Sequence, residues 1–211
     1  MGNLYDNYAQ LAAAEEEGVA YTRTALDLPT TSWASIAIHG GGIEAGSGEL
    51  ALTVGDGLMK TYVFAGIKAS HNSDLHITAT HFDEPQCLAL LGAVDRTISF
   101  HGYAGTGDQA ETAVGGLDTD LGGSIAAGLA DRGFSVTSAS SEVAGTYRGN
   151  ICNKNQRGAG VQLELSHALR KSFFPHGDLS RKMRDSGQRT QRFYDYVEVI
   201  RSVTATPALA S

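Results

Sequence analysis

Cysteine, proline and tryptophan are scarce in this 211-residue chain, which has two, four and one of them. Cys87 and Cys152 lie sixty-five positions apart and match no zinc-ribbon or redox spacing, so a cysteine-built metal knuckle is excluded. Cys87 sits in an apolar stretch and reads as a small core residue; a disulfide to Cys152 stays open at this level. Positive charge is also in short supply: 16 Lys+Arg against 23 Asp+Glu give a net charge of -7, which argues against a general nucleic-acid binder. No apolar run approaches the ~20 residues of a membrane span. The start, MGNLYDNYAQLAAAEEE, lacks the apolar core of a signal peptide, and Asp6 stands where a myristoylation start wants Ser or Thr. A cytoplasmic protein without membrane contact is the expectation, and a monomer.

Glycine is abundant: 26 residues, about 12% against a typical ~7%. With so little proline, this points to tight turns and close backbone approaches rather than linkers. The excess is concentrated at Gly40–Gly42, Gly46 and Gly48, at Gly102, Gly105 and Gly107, and at Gly158 and Gly160. Hydrophobic residues at 42% and charged residues at 18% exclude disorder and coiled coil. The length suits one domain spanning residues 1–211, with a core that needs no staples.

The pattern predicts an N-terminal helix over 3–17 and a C-terminal amphipathic helix over about 191–203. Between them, WASIAIH (33–39), 61–65, 75–80, 96–101, 112–117, 134–137 and 161–165 read as strands. Helices are expected over 48–54 with Ser47 as its cap, over 86–91 after Asp83-Glu84-Pro85, and from Asp118 or Thr119 to Asp131 with Leu121, Ile125 and Leu129 inward. This alternation implies an α/β fold: a mixed, mostly parallel sheet flanked by helices, with its site beyond the C-terminal strand ends.

Three expected strands carry a potential ligand at their ends. One ends at His39, followed by Gly40-Gly41-Gly42-Ile43-Glu44; one ends at His101; one carries Glu164 between Leu163 and Leu165. Neighbouring strands are ~4.8 Å apart, so such residues converge. The glycines let the chain fold back and bring Glu44 to His39. Two imidazoles and a carboxylate form the ligand set of a catalytic zinc site with one open position. Glu164 is then spare to act as general base. A single His after an apolar strand is more often structural; the coincidence of three strand ends carries the reading.

The segments AIHGGGIEAGSGELA, LHITATHFDEPQCLAL, SFHGYAG, VGGLD and GNICNKNQRGAGVQLELSHALR, in that order, resemble the poly-γ-glutamate hydrolase family from about Trp33 to Arg170. The resemblance implies a zinc-dependent peptidase with a carboxypeptidase-like α/β fold, often phage-related and so released on lysis. It implies zinc on His39, Glu44 and His101, and Glu164 as general base. Ile38 replaces the family's usual proline before the histidine, and Ser47 its usual threonine; neither removes a ligand.

The implied substrate carries an α-carboxylate on every unit, so a cationic groove is expected. Arg157, Arg148 and Lys154, among Asn150, Asn153 and Asn155, are the candidates, with an Arg also suited to an oxyanion. His76 is a further substrate-facing candidate and Tyr103 a pocket-lining one. His81 is as readily structural; His71, His167 and His176 have no supporting pattern. Two rivals stand beside this reading. One is another zinc amide hydrolase, acting on acyl-amino acids or cell-wall γ-glutamyl links. The other is a non-catalytic nucleic-acid binder using the basic part after residue 150, where 10 Lys+Arg face 5 Asp+Glu.

Overall fold

The computed structural model describes residues 3–205. Seven strands form one mixed sheet: β1 (Tyr21–Leu26), β2 (Trp33–Gly41), β3 (Lys60–Gly66), β4 (Arg96–Tyr103), β5 (Glu111–Gly116), β6 (Ser135–Ser138) and β7 (Val161–Ser166). Their order is β1-β3-β2-β4-β7-β5-β6. β3, β2, β4 and β7 run parallel; β1 and the β5–β6 pair run antiparallel to that block at its two flanks. The C-terminal ends of β2, β4 and β7 are therefore neighbours. In the β4–β7 pairing His101 lies directly opposite Glu164.

Each face of the sheet buries its own core. On one face α2 (Ser47–Gly55), α4 (Thr119–Asp131) and α7 (Gln191–Ala205) pack with Ile98, Phe100, Val161, Leu163 and Leu165. α4 buries Leu121, Ile125 and Leu129 at four-residue spacing; α7 buries Phe193, Tyr196, Val197 and Ile200. Both are single apolar stripes at helical period. Full burial of each such side chain contributes roughly 1.5–3 kcal/mol. On the other face α1 (Tyr8–Ala14) and α3 (Pro85–Leu91) cover Ile36, Ile38, Tyr62 and Phe64. The short α5 (His167–Ser172) and α6 (Arg181–Asp185) follow β7.

Three local expectations are corrected, and one strand is added. The N-terminal helix is confined to Tyr8–Ala14, because the Asn7 side chain accepts from Gln10 N–H and starts it late, while Glu15 turns extended and stops it. Residues 75–80 form no strand: a 3-10 turn at Asn72–Leu75 leads into irregular chain, whose Leu75 and Ile77 are buried but whose backbone joins no ladder. Gly46, not Ser47, caps α2. β1 was not anticipated from the sequence; it is an edge strand whose identity depends on its pairing with β3. Cys87 and Cys152 are both buried free thiols. No described helix is long and apolar enough to cross a membrane.

Candidate metal centre and its cleft

In β4 and β7 strict alternation divides the side chains. Ile98 and Phe100, and Val161, Leu163 and Leu165, enter the helical core. That leaves Ser99 and His101, and Gln162 and Glu164, on the opposite face, all buried. β2 reaches the same face by a different device. Ala37 pairs with Val63 but Gly40 with Ala65, so β2 holds one extra residue there. Such a bulge resets the alternation. Ile38 and His39 thus both turn toward the face that holds Ile77: Ile38 packs in its core, and His39 Nε2 donates to Ile77 O at 2.9 Å.

The glycines after His39 close a tight turn, with Glu44 N–H donating to His39 O at 2.8 Å. Gly41 has φ +66°, and a Cβ there would lie 2.3 Å from Gly66 O, so neither strain nor space admits a side chain. The turn delivers the Glu44 carboxylate between the two rings. Glu44 Oε1 is 3.0 Å from His39 Nδ1; Oε2 is 3.7 Å from His101 Nδ1 and accepts from Gly102 N–H at 2.8 Å.

Three ligand atoms of His39, Glu44 and His101 lie within 4.8 Å of one another, and no other such cluster of His, Cys, Asp or Glu occurs among the described residues. The donor chemistry fits a zinc ion. Ile77 O can only accept, so neutral His39 keeps its proton on Nε2 and its lone pair on Nδ1. His101 Nε2 lies 2.9 Å from Ser99 Oγ, a hydroxyl that can accept from it when Nδ1 carries the lone pair. The two Nδ1 atoms are 3.2 Å apart. Tetrahedral zinc with Zn–N bonds of ~2.0–2.1 Å places two ligand nitrogens about 3.3 Å apart.

The electrostatics favour positive charge at this point. Burial pulls His39 down, but the charge and hydrogen bond of Glu44 more than offset it and leave it above its ordinary value. Burial raises Glu44, yet His39 and His101 outweigh that and hold it at about 2. His101 is pushed down to about 3, chiefly by burial, and so stays neutral. Glu164 is raised to about 8 by burial and by the nearby Glu44 charge. Its Oε1 accepts from Gln162 Nε2 at 2.9 Å; Gln162 also donates to Val143 O and accepts from Asn150.

These groups line a cleft of about 500 Å³ that also exposes His76, Tyr103 and Tyr147. His76 stacks on His39 with ring centroids 4.0 Å apart, and its Nδ1 meets Asn3 Oδ1. Tyr103 lies on the same strand face as His101 and donates to Glu111. A groove of about 630 Å³ lies elsewhere, against α4, β5 and β6. Glycine and alanine dominate it, and its one acid, Asp118, is paired with Arg96 and Arg157.

The expected cationic wall is not there: no Lys or Arg is among the described residues lining the cleft. Arg157 turns away to Asp118 at 3.0 Å, drawn by a buried carboxylate that also caps α4. Arg148 and Lys154 are exposed outside the cleft. Asn153 is buried and braces the loop, donating to Gly145 O and Tyr147 O and accepting from Gly160 N–H. His81 and His167 are exposed. Gln162 went unnoticed in the sequence, although a polar residue two positions before Glu164 in a buried strand shares its face. Arg170, buried beneath the site, gave no comparable signal.

The basic residues beyond 150 are mostly engaged within the protein. Arg184 pairs with Glu49, Arg189 lies over Phe174, Arg192 over Phe134, and Arg201 donates to carbonyls around the end of α2.

A family model described as poly-gamma-glutamate hydrolase matches residues 5–199. The SPbeta prophage-derived protein YoqZ of Bacillus subtilis is 43% identical over 167 residues, 78% of this chain and 59% of YoqZ, so the chain spans about three-fifths of that relative's length. YndL of the same organism is 37% identical over 203 residues, 94% of this chain and 76% of YndL. The solved structure of a bacteriophage poly-gamma-glutamate hydrolase superposes with a TM-score of 0.91 at 38% identity, covering 97% of each chain. That of zinc-free YndL gives 0.90 at 34% identity, covering 99% of this chain and all of the other. By the family match and by these likenesses in sequence and fold, the chain belongs to the poly-gamma-glutamate hydrolase family.

Proposed function

We propose that the protein hydrolyses γ-glutamyl amide bonds of poly-γ-glutamate or related γ-glutamyl peptides, with zinc held by His39, Glu44 and His101 and with Glu164 as general base. The observation that carries this reading is the convergence of two Nδ1 atoms and one carboxylate from two adjacent strand ends, with a second carboxyl group, Glu164, in the same cleft.

When bound, zinc supplies Lewis acidity toward an amide carbonyl and toward water. The chain's own groups do the rest. Glu164, with its pKa lifted toward neutrality, is suited to take a proton from attacking water and return it to the leaving amine. Gln162 holds the Glu164 carboxylate through Oε1, and a glutamine N–H cannot compete for the proton in transit. Ile77 O and Ser99 Oγ fix the two rings so that both Nδ1 atoms face Glu44. In a cleft without Lys or Arg, substrate carboxylates meet hydroxyl donors such as Thr78, Thr146 and Tyr147, together with His76.

That same lack of cations favours a second reading: a zinc amide hydrolase acting on less charged acyl or γ-glutamyl amides. One experiment tests both. Chelator-treated and zinc-restored protein are assayed on poly-γ-glutamate and on matched α- and γ-linked glutamyl peptides and an acyl-amino acid. Zinc-restored cleavage of the γ-linked substrates alone supports the first reading. Preference for the acyl-amino acid supports the second, and equal rates with and without metal sink both.

A further inference from the structure

The carbonyl groups that follow the site residues converge on one buried side chain. Arg170, on α5, donates Nε to Leu165 O at 3.2 Å, Nη1 to Ala45 O at 2.9 Å and Nη2 to Tyr103 O at 3.2 Å. Leu165 directly follows Glu164, Ala45 directly follows Glu44, and Tyr103 lies two residues beyond His101. Arg170 is 7% exposed, and all three of these contacts are to backbone carbonyls.

The surroundings are cut to receive it. A Cβ at Gly102 would lie 2.6 Å from Arg170 Cζ, so any side chain there would displace the guanidinium. Gly46 packs against the Arg170 stem, where a Cβ would come to 3.4 Å. Burying a guanidinium is costly unless its donors are met. Its planar fork then holds the partners in a fixed mutual geometry, which a lysine ammonium cannot do for three separate carbonyls. Burial works against its charge, and Glu44 and Glu164 both favour it.

We propose that Arg170 is a positioning residue. It ties the turn after Glu44, the end of β4 after His101 and the end of β7 after Glu164 into one register, and so sets the spacing between the metal donors and the base. This inference rests on the reading of the site given above.

The test compares wild type, Arg170→Lys, Arg170→Ala and His39→Ala. Zinc affinity is measured by chelator competition, ligand geometry by the visible spectrum of the cobalt(II)-loaded protein, folding by thermal unfolding, and turnover on poly-γ-glutamate. Arg170→Lys is expected to lose zinc affinity by ~10–100-fold. It is also expected to shift the cobalt spectrum at saturating metal and to lower kcat with KM held within about twofold. Guanidinium at a few tens of millimolar is expected to restore part of the affinity and turnover of Arg170→Ala, whereas sodium chloride at equal ionic strength is not. The inference is overturned if both Arg170 variants melt earlier yet, saturated with metal, show the wild-type spectrum and kcat; Arg170 is then a strut of the fold alone. If Arg170→Ala does not fold, Arg170→Lys decides between these outcomes. Failure of the metal reading is seen separately: wild type and His39→Ala would then bind zinc equally poorly, and the proposed role of Arg170 falls with it.

Discussion

Replacing Glu164 by glutamine is expected to remove activity and to stabilise the metal-free protein. Burial and the Glu44 charge raise Glu164 from 4.5 to about 8. An acid whose folded value lies above its unfolded one contributes stability below the unfolded value, and that contribution is lost as pH rises through the folded value. Between pH 4.5 and about 8 the unfolded chain ionises this group while the fold keeps it protonated, so its contribution falls increasingly across that window. At ~1.4 kcal/mol per pH unit the ceiling is about 5 kcal/mol above pH 8 and about 3 kcal/mol at pH 7. Glutamine keeps nearly the same shape, can still accept from Gln162 Nε2, and carries no charge to bury.

Chemical unfolding of chelator-treated wild type and Glu164→Gln at pH 4, 7 and 8 measures this. The variant is expected to match wild type at pH 4 and to exceed it by about 2–3 kcal/mol at pH 7, or roughly 4–12 °C in Tm. Zinc is expected to shrink the gain, because a nearby cation favours the ionised carboxylate. Hydrolysis by the zinc-loaded variant is expected to fall by ~10²–10⁴-fold. A variant as stable as wild type at every pH, or less stable at pH 8, would refute the argument that the surroundings of Glu164 disfavour its ionised form.

Two further substitutions probe the frame around the site. Gly41→Ala puts a methyl group 2.3 Å from Gly66 O at a positive φ, and is expected to cost roughly 2 kcal/mol or more and to weaken zinc binding, as read by thermal unfolding and chelator competition. Unchanged zinc affinity would show that the turn can shift without moving Glu44. Arg157→Ala removes a half-exposed partner from Asp118, which keeps Arg96, so about 1 kcal/mol or less of stability and no change in kcat or KM is expected. A rise in KM would return Arg157 to the substrate groove.

Much of the fold was legible because its signals are local. Val-Gln-Leu-Glu-Leu-Ser alternates strictly, so Glu164 falls on the strand face opposite Leu163 and Leu165 whatever strand pairs with it. Leu121, Ile125 and Leu129 repeat at four residues and marked the inner face of α4. The failures share a different cause. Residues 75–80 carry a strand-like apolar pattern, but a strand needs a ladder partner, and here the backbone of Ile77 serves His39 instead. Arg157 is near Glu164 in sequence, a proximity that suggests a substrate-facing side chain, yet Asp118, thirty-nine positions earlier, holds it elsewhere.

The sequence by itself determined the α/β alternation, the residue types at three strand ends, and the glycines that let Glu44 return to His39. These depend on periodicity and backbone sterics within a few residues. The tertiary structure alone decided the rest. Strand order made β2, β4 and β7 neighbours, and a one-residue bulge turned His39 onto the site face. Long-range competition for buried charge sent Arg157 to Asp118 and Arg170 to three carbonyls. Which partner a charged side chain takes depends on every group within reach in three dimensions, and spacing along the chain does not encode that reach.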